Sequence, residues 1–371
     1  MTCWRRRDKL REIAQLISRR FKEPSPFASA SVLRHSARQP TAVTPSAVIQ
    51  TKPGIGDVMW HLPFIRAIAA ASPGGKVTFL APPTSGAREL LAAEPSVVEI
   101  VYFEHSGSEL RRFLNMLRLV ALLRRKRYRT VWILDYTVRA AIAALLAGIP
   151  ERIGVGLTRQ RWFITNKGID QRHYHDHPID WLLALMAAMN LPMPADEPRL
   201  AVPSETLSAI CGKFESCRRP WIVLGMGAAH SDRDWTTPRW AEFIAGLRQS
   251  TSGTVFLIGG NAQLTRAQTL IDGGSGAAAV NACDLKLGEA LALLRQADLF
   301  IGTDSGPMNM AARVGTPAFG MFGFNKPLTY SKFIHPIVPE RGPAPDGLQR
   351  ISPAQVLEQV RPYLSRRKQT A

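Results

Sequence analysis

The chain has 371 residues, about twice the ~100–200 residues of a typical domain, so its length predicts two domains. Hydrophobic residues make up 46% and charged residues 20%, which excludes a disordered or low-complexity chain and allows a sizeable core. There are 47 lysines and arginines against 29 aspartates and glutamates, and the net charge of +18 indicates an anionic partner.

The four cysteines form no CxxC pair and have no histidine at the spacing of a zinc site. We interpret them as reduced thiols. No apolar run approaches the ~18 residues that a spanning helix needs, and the N-terminus lacks the apolar centre of a secretory signal. The sequence therefore predicts a cytoplasmic protein that does not span the membrane.

The first 46 residues are expected to form a basic extension and linker outside the folded domains. Apolar side chains recur at helical spacing among arginines in Arg5–Phe21, which predicts a basic amphipathic helix. Such a helix either lies on a membrane surface or is a solvated leader without a partner, and both interpretations stay open. The proline- and serine-rich stretch Glu23–Ser46 is typical of a linker.

From Ala47 onward, strand patterns alternate with helix patterns, and this rhythm repeats after Arg218. The predicted strands are Ala47–Thr51, Lys76–Ala81, Val97–Phe103, Thr130–Asp135, Trp221–Met226, Thr254–Ile258, Ala278–Asn281, Leu299–Gly302 and Pro317–Met321. The predicted helices are Val58–Ala71, Ser85–Ala92, Glu109–Arg125, one from Val138, Ile179–Met189, Pro238–Gln249, Ala262–Ile271, Lys286–Gln296, Gly306–Val314 and Pro353–Ser365. The pattern predicts an α/β protein with two doubly wound parallel sheets facing one cleft.

The domain boundaries follow from the same pattern. We expect a first domain at 47–191, a proline-rich connection at 192–217, a second domain at 218–345 and a C-terminal helix with a basic tail at 346–371. In the long helix Glu109–Arg125, an apolar stripe is predicted to pack against the first sheet while the arginines face outwards. That stripe comprises Leu110, Phe113, Leu114, Leu117, Val120 and Ala121.

Asp57 follows the glycines of the turn after the first strand, at the start of a helix. A carboxylate there either caps the helix by accepting amide hydrogen bonds or faces the cleft as a general base, and spacing alone favours the cap. This turn lacks the third glycine of a dinucleotide-binding fingerprint, and no acidic residue follows the second strand. An NAD site is therefore weakly supported.

In the second half, the strand ending at Gly302 runs into Thr303-Asp304-Ser305 and a helix that opens with Gly306 and Pro307. Such a turn is either an ordinary helix start or a diphosphate site. The diphosphate is a candidate because the free amides and the positive end of the helix both favour an anion. Two other turns after strands contain Gly227 and Gly260. Arg233, in the first of them, is either a cation for a leaving phosphate or a surface ion pair with a neighbouring aspartate.

His173, His175 and His177 alternate with acidic residues, a pattern that could suggest a metal site. Alternation along the chain does not by itself bring three imidazoles together, so we interpret this segment as a polar loop leading into a helix. No metal or other cofactor is expected.

Six segments, in this order, resemble glycosyltransferase family 9, the ADP-heptose:lipopolysaccharide heptosyltransferases, from about Val48 to Gly323. They are KPGIGDVMWHLPFIRAI (Lys52–Ile68), VWILDYTVRAA (Val131–Ala141), RIGVG (Arg152–Gly156), GMGAAHSDRDWTTPRW (Gly225–Trp240), LIGG (Leu257–Gly260) and GTDSGPMNMAARVGTPAFGMFG (Gly302–Gly323). The resemblance implies the GT-B arrangement, with the acceptor on the first domain and the nucleotide sugar on the second.

The resemblance also implies site roles, and it makes Asp57 the base that deprotonates the acceptor hydroxyl. The residues expected at the donor are Gly227, Arg233, Gly260, Thr303, Asp304, Ser305, Gly306 and Asn309. Apart from the resemblance, the residues expected at the acceptor are Gly56, His61, Arg111, Arg112 and Arg118. The three arginines lie on the outward side of the predicted helix Glu109–Arg125, where they either contact acidic lipid or acceptor phosphates or form a solvated basic face. Asn309 stands where these heptosyltransferases usually have histidine, which puts the choice of donor sugar or base in question.

The sequence and the resemblance together predict an inverting glycosyltransferase that moves a sugar, a heptose, from a nucleotide-diphosphate donor such as ADP-heptose to an anionic glycolipid of the lipopolysaccharide type. Its expected place is the cytoplasmic face of the inner membrane, as a peripheral protein on an anionic surface. Because basic and aromatic residues do not interleave, nucleic acid is not an expected partner. The alternative is a non-catalytic nucleotide-binding module that docks on anionic membrane or nucleic acid.

Overall fold

The computed structural model describes residues 46–194, 196–197, 199–227, 234–275, 279–327 and 330–367. Arg233 and the predicted helix Arg5–Phe21 lie outside these ranges, as does most of the linker. The described residues belong to one compact unit. No helix among the described residues combines the length and the apolar character needed to cross a bilayer.

Eleven strands of the described chain form two sheets, and every strand pair is parallel. The strands are β1 Ser46–Ile49, β2 Val77–Ala81, β3 Val97–Tyr102, β4 Thr130–Ile133, β5 Glu151–Gly154, β6 Trp221–Gly225, β7 Thr254–Ile258, β8 Ala279–Asn281, β9 Leu299–Thr303, β10 Ala318–Met321 and β11 Ile334–Ile337. The first sheet has the order β3-β2-β1-β4-β5, and the second sheet has the order β11-β10-β9-β6-β7-β8. The predicted α/β class with two parallel sheets is confirmed.

Helices connect the strands. They are α1 Ile55–Ala70, α2 Ala87–Leu90, α3 Glu109–Lys126, α4 Val138–Leu146, α5 Pro178–Ala188, α6 Ser204–Lys213, α7 Thr237–Arg248, α8 Leu264–Leu270, α9 Leu287–Gln296, α10 Gly306–Val314, α11 Gly347–Arg350 and α12 Pro353–Arg367. The strands are almost fully buried, apart from the edge strands β3, β5, β8 and β11. This burial explains their continuous apolar runs, because helices cover a parallel sheet on both faces.

The strand order reverses once in each sheet, between β1 and β4 in the first and between β6 and β9 in the second. Ligands of open α/β sheets bind at the carboxyl ends of the strands at such switch points. A ligand is therefore expected to bind at the segments that follow β1, β4, β6 and β9. Helix α1 also packs directly on α10, and the largest buried cluster is continuous from the first sheet to the second.

The connection between the sheets is more ordered than a linker. It contains helix α6, and the backbone before that helix is fastened to both halves. The Leu200 amide donates to the Arg313 carbonyl of α10 at 2.8 Å, and Arg66 of α1 donates to the Arg199 carbonyl at 2.8 Å. The Glu197 carboxylate lies 3.6 Å from the buried Arg313 guanidinium. These contacts hold the two sheets in a defined arrangement.

The prediction for the long helix α3 was wrong about which side is buried. Asn115, Leu119, Val120 and Leu123 are the buried residues of α3. The predicted apolar stripe is instead exposed at five of its six positions, namely Leu110, Phe113, Leu114, Leu117 and Ala121. The helix carries apolar residues on two adjacent arcs, and only the arc that includes a buried asparagine meets the sheet and α4.

Candidate active site

Helices α1 and α10 begin side by side, one from each sheet. A Cβ atom placed on Gly306 would lie 3.2 Å from the Cβ of Ile55, and one on Gly56 would lie 3.3 Å from the Asn309 Nδ2. Glycine at both helix starts therefore permits this close approach. Because the first amides of a helix have no partner within it, two positive helix ends face the same space.

That space is a cleft of about 830 Å³, within the range of about 300–1,000 Å³ that is typical of small-molecule sites. From the first sheet, it is lined by Gly56, Asp57, Trp60, His175, Asp176, His177, Pro178 and Asp180; from the second, by Asp304, Ser305, Gly306, Asn309, Asn325 and Lys326. The structure thus brings Asp57 and Gly56 together with four of the predicted donor residues, from segments about 250 positions apart.

Asp57 has a capping contact as well as a position in the cleft. Helix α1 starts at Ile55, three residues earlier than predicted, so Asp57 is the third residue of the helix and Gly54 is the N-cap. The Gly54 amide donates to Asp57 Oδ2 at 3.1 Å. The two interpretations of this residue are therefore compatible: one carboxylate oxygen accepts a backbone hydrogen bond while the residue lines the cleft.

Burial is the largest cause of a raised pKa at Asp57. Lys52 and the Gly54 amide act in the opposite direction, and nearby Asp135 raises the pKa further. A carboxylate that binds its proton more tightly than usual is a better general base for a sugar hydroxyl, since its pKa is closer to the working pH.

Asp135 lies just after the end of β4, and its hydrogen bonds hold the loop that leads to Asp57. Its Oδ2 accepts hydrogen bonds from the amide and the hydroxyl of Thr51, at 2.9 and 2.7 Å, and its Oδ1 accepts one from the Thr137 amide at 2.8 Å. Gln160 donates to the Asp135 carbonyl. No role was predicted for this aspartate, although it lies in the segment Val131–Ala141 that carries the family resemblance. The structure shows that its carboxylate joins the two loops at the switch point of the first sheet.

We expect Lys52→Met to move the acidic limb of the kcat/KM pH profile to higher pH. Lys52 lowers the pKa of Asp57, so removal of its charge leaves burial and Asp135 to raise that pKa further. A base acts only when deprotonated, and the limb follows its pKa. Lys76→Met, which removes an exposed lysine at the opposite edge of the first sheet, is the matched control and should leave the profile unchanged. A limb that stays in place in Lys52→Met would contradict Asp57 as the titrating base.

On the second sheet, the turn after β9 places its residues at different depths. Asp304 accepts a hydrogen bond from the Asn325 side chain at 3.0 Å and lines the cleft together with Ser305. Thr303 is 1% exposed, so its side chain lies beneath the cleft surface and not in it. The Ser305 hydroxyl donates to the Thr303 carbonyl at 3.1 Å, which closes the turn ahead of α10.

Asn309 connects the two halves across the cleft. Its Oδ1 accepts from Trp60 Nε1 of α1 at 2.9 Å and from the Tyr330 hydroxyl, and its Nδ2 donates to the Ser305 carbonyl at 2.9 Å. A histidine ring nitrogen cannot accept two such hydrogen bonds, because it has one lone pair. The asparagine at this position therefore suits a hydrogen-bonded junction between the sheets.

The loops after β6 and β7 meet beside the second-sheet switch point. The Gly227 amide donates to Asp234 Oδ2 at 3.1 Å, and Arg266 of α8 forms an ion pair with the same carboxylate. Gly227 and Gly260 have φ values of 83° and 74°, a region that favours glycine. Asp234, one of the two aspartates that flank Arg233 in the sequence, is thus buried and held by Arg266.

The predicted acceptor residues are dispersed. The His61 ring is 1% exposed and hydrogen-bonded to Gln50, and burial together with Lys52 lowers its pKa to about 3. It lies in the core beneath the cleft, where it cannot contact an acceptor. Arg112 forms an ion pair with Glu109 at 2.9 Å, and Arg118 donates to the Asn115 side chain at 3.0 Å. These two arginines lie on α3 with Arg111, outside the lining of the cleft.

The histidine-rich segment is part of the cleft, which the sequence did not predict. His177 is the N-cap of α5, where its Nδ1 accepts from the Ile179 amide, and its ring lies 5.1 Å from that of Trp60. His173 binds the Asp176 carboxylate at 2.6 Å. Burial lowers the pKa of His177, so it is neutral near pH 7. Its polar loop was visible in the sequence, but its contact with α1 was not.

Two parallel sheets face one cleft, with a carboxylate at one switch point and an open helix N-terminus at the other, which matches the GT-B arrangement implied by the sequence resemblance. The chain belongs to glycosyltransferase family 9 (heptosyltransferase), whose family model matches residues 116–339. It is therefore a glycosyltransferase, and the resemblance found in the sequence is confirmed.

Individual relatives agree with this assignment. The chain is 25% identical over 348 residues to lipopolysaccharide heptosyltransferase 2 of Salmonella typhimurium, covering 84% of this chain and 96% of that protein. It is 22% identical over 281 residues to lipopolysaccharide core heptosyltransferase OpsX of Haemophilus influenzae, covering 74% and 78%.

Solved structures share the fold. Escherichia coli ADP-heptose LPS heptosyltransferase II has a TM-score of 0.71 at 24% identity, covering 87% of this chain and 99% of that one. E. coli heptosyltransferase WaaC with ADP-2-deoxy-2-fluoro heptose has a TM-score of 0.65 at 17% identity, covering 85% and 98%. The predicted GT-B fold is confirmed.

Proposed function

We propose that this glycosyltransferase transfers a heptose from ADP-heptose to an anionic, lipid-linked acceptor of the lipopolysaccharide core, with inversion at the anomeric carbon. The observation that carries the proposal is the cleft in which Asp57 lies across from the N-terminus of α10. The names of the relatives support the sugar and acceptor classes, and ADP-heptose is named for E. coli heptosyltransferase II.

Asp57 takes the proton of the acceptor hydroxyl as that oxygen bonds to the anomeric carbon. The bond from this carbon to the diphosphate oxygen breaks at the same time, and its electron pair leaves with ADP. One base on the face opposite the leaving group gives inversion by direct displacement. A covalent intermediate would require a second, nucleophilic carboxylate close to the anomeric carbon, by analogy with glycoside hydrolysis.

The second-sheet side of the cleft suits a departing diphosphate. The free amides at the start of α10 and its positive end attract the phosphates, and Lys326 adds a cation at the rim. Arg233 is proposed to neutralise the leaving group, on the strength of its motif alone, and Asp304 to accept hydrogen bonds from the hydroxyls of the donor sugar. The net charge of +18 fits an anionic acceptor.

The decisive experiment supplies the purified full chain with ADP-heptose and a heptose-free core acceptor. We expect stoichiometric ADP release and glycan product, with the anomeric configuration opposite to that of the donor, as read by NMR. Other nucleotide sugars, offered in parallel, should turn over more slowly. Retained configuration would overturn the mechanism, and preferred turnover of a different donor would overturn the proposed sugar. ADP release without glycan product would show hydrolysis and not transfer.

A further inference from the structure

Helix α3 exposes a continuous apolar stripe along its first half. Leu110 is 70% exposed, Phe113 52%, Leu114 44% and Leu117 42%. Their spacing of three, four and seven residues places all four side chains on one side of the helix. Monomeric proteins seldom expose a contiguous apolar patch of this kind unless it meets another surface. The stripe therefore marks an interaction surface.

The position of the stripe connects it with the cleft. Helix α3 begins just after β3 ends, so its first turns lie at the carboxyl edge of the first sheet, the edge that also bears Asp57. Two further exposed aromatic residues follow the other strands of this edge: Tyr136 after β4 and Trp162 after β5. Large rings with a polar atom suit the boundary between water and lipid.

The charged residues beside the stripe indicate which kind of partner covers it. Arg111 and Arg118 are exposed beside it, and Arg112 is half-buried. A surface that combines an apolar stripe with flanking arginines complements the anionic headgroups and the acyl region of a bilayer. Two other occupants are disfavoured because their charge has the same sign as the arginines. One is the basic segment Arg5–Phe21 of this chain, and the other is a second copy of the chain, whose net charge is +18. The observations thus favour an anionic bilayer as the occupant.

We propose that the first half of α3 inserts Leu110, Phe113, Leu114 and Leu117 into the interface of an anionic membrane. The adjacent arginines then lie among the headgroups, and the acceptor side of the cleft faces a lipid-linked substrate. The biological purpose rests on the proposed function, because it assumes an acceptor embedded in the membrane. The binding itself does not depend on that assumption.

The test compares full-length variants for sedimentation with vesicles of phosphatidylethanolamine and phosphatidylglycerol. Phe113→Ser/Leu117→Ser should bind about tenfold or more weakly, since two apolar side chains no longer enter the interface. Val98→Ser is the matched control: Val98 is 52% exposed like Phe113, but it lies towards the amino end of β3. Its binding should equal that of the parent. Equal binding by the double variant and the parent would overturn the proposal.

Two further measurements are needed. The first distinguishes membrane insertion from coverage of the stripe by a chain segment or a second copy, and the second distinguishes failure of the membrane proposal from failure of the proposed function. If a segment of the chain or a second copy covers the stripe, the double variant will melt at a lower temperature or change its oligomeric state, and either result overturns membrane insertion. With a delipidated, soluble acceptor, the double variant should transfer at the parent's rate. If neither protein transfers heptose while the difference in vesicle binding persists, the proposed function fails and the membrane surface stands.

Arg111→Glu/Arg118→Glu supplies the electrostatic arm of the experiment. Weaker binding at low salt, with the difference from the parent shrinking as salt is added, is the result expected for headgroup contact. Vesicles of phosphatidylcholine alone should bind the parent weakly. Equal binding to neutral and anionic vesicles would overturn the assignment of an anionic surface.

Discussion

Asp57→Asn should lower kcat by about 10²–10⁴, the loss typical of a positioned acid–base group, while the affinity for the nucleotide sugar stays nearly the same. In the proposed mechanism the carboxylate takes part only as the acceptor proton is lost, so ground-state donor binding should not depend on it. Measurement of kcat and of the donor Kd on one preparation would show whether kcat falls while donor affinity is retained. Normal turnover would leave Asp57 with its helix-capping role only.

Stability provides the control for this substitution. The Asp57 pKa is raised in the folded protein, so the folded state binds that proton more tightly than the unfolded state does. Ionised Asp57 therefore opposes folding, and this penalty grows as pH rises from its unfolded pKa through its folded pKa. Asparagine has no such penalty, and its oxygen can still accept from the Gly54 amide. We expect Asp57→Asn to melt no lower than the parent at neutral pH.

Asp180→Asn is a matched variant because Asp180 is also the third residue of its helix and also lines the cleft. It should retain most of the parent's kcat. A similar collapse of kcat in both variants would indicate that the charge of the cleft matters more than one base.

Arg313→Met should lower the free energy of unfolding by about 3–5 kcal/mol, as expected when one partner of a buried ion pair is removed. Arg313 is 2% exposed, and its guanidinium lies 3.6 Å from Glu197 and 5.7 Å from the centroid of the Tyr330 ring. Methionine fills much of the volume but leaves the Glu197 carboxylate, whose side chain is only 12% exposed, without that positive charge. Urea titration would measure the loss.

Two variants control for other causes. Arg295→Met changes an exposed arginine of α9 and should alter stability by less than about 0.5 kcal/mol. Adding Glu197→Gln to Arg313→Met should recover part of the lost stability, because no uncompensated charge then remains. A loss below about 1 kcal/mol in Arg313→Met would show that the pair is not what fastens the connection to α10.

The sequence predicted the alternation of strands and helices because buried parallel strands are continuous apolar runs, and Thr254–Ile258 and Gly306–Val314 match their predictions to the residue. It missed β5 and β11, because charged residues in β5 and a histidine and a proline in β11 interrupt the apolar run of these four-residue strands. For α3, periodicity identified an amphipathic helix but could not decide which of two apolar arcs meets the sheet. That choice depends on packing with α4, which the sequence does not display.

The candidate site, like the fold, could be predicted from the sequence only in part. The positions of Asp57 and Asp304 were predictable because parallel sheets place the ends of their strands at one edge. The depth of each side chain was not: Thr303 and His61 are buried, although their neighbours in sequence line the cleft. The hydrogen bond from Trp60 to Asn309 joins residues 249 positions apart, and no local pattern signals it.

The close approach of Gly306 to Ile55, and of Gly56 to Asn309, bears on how such an enzyme can change during evolution. A side chain on Gly306 would crowd Ile55, and one on Gly56 would crowd Asn309, so glycine at both positions keeps the start of α1, with Asp57, close to the start of α10. Residues at the rim, such as His175 and Lys326, have no part in that spacing. Substitutions at the rim can therefore change substrate preference while the spacing between Asp57 and the start of α10 is inherited unchanged.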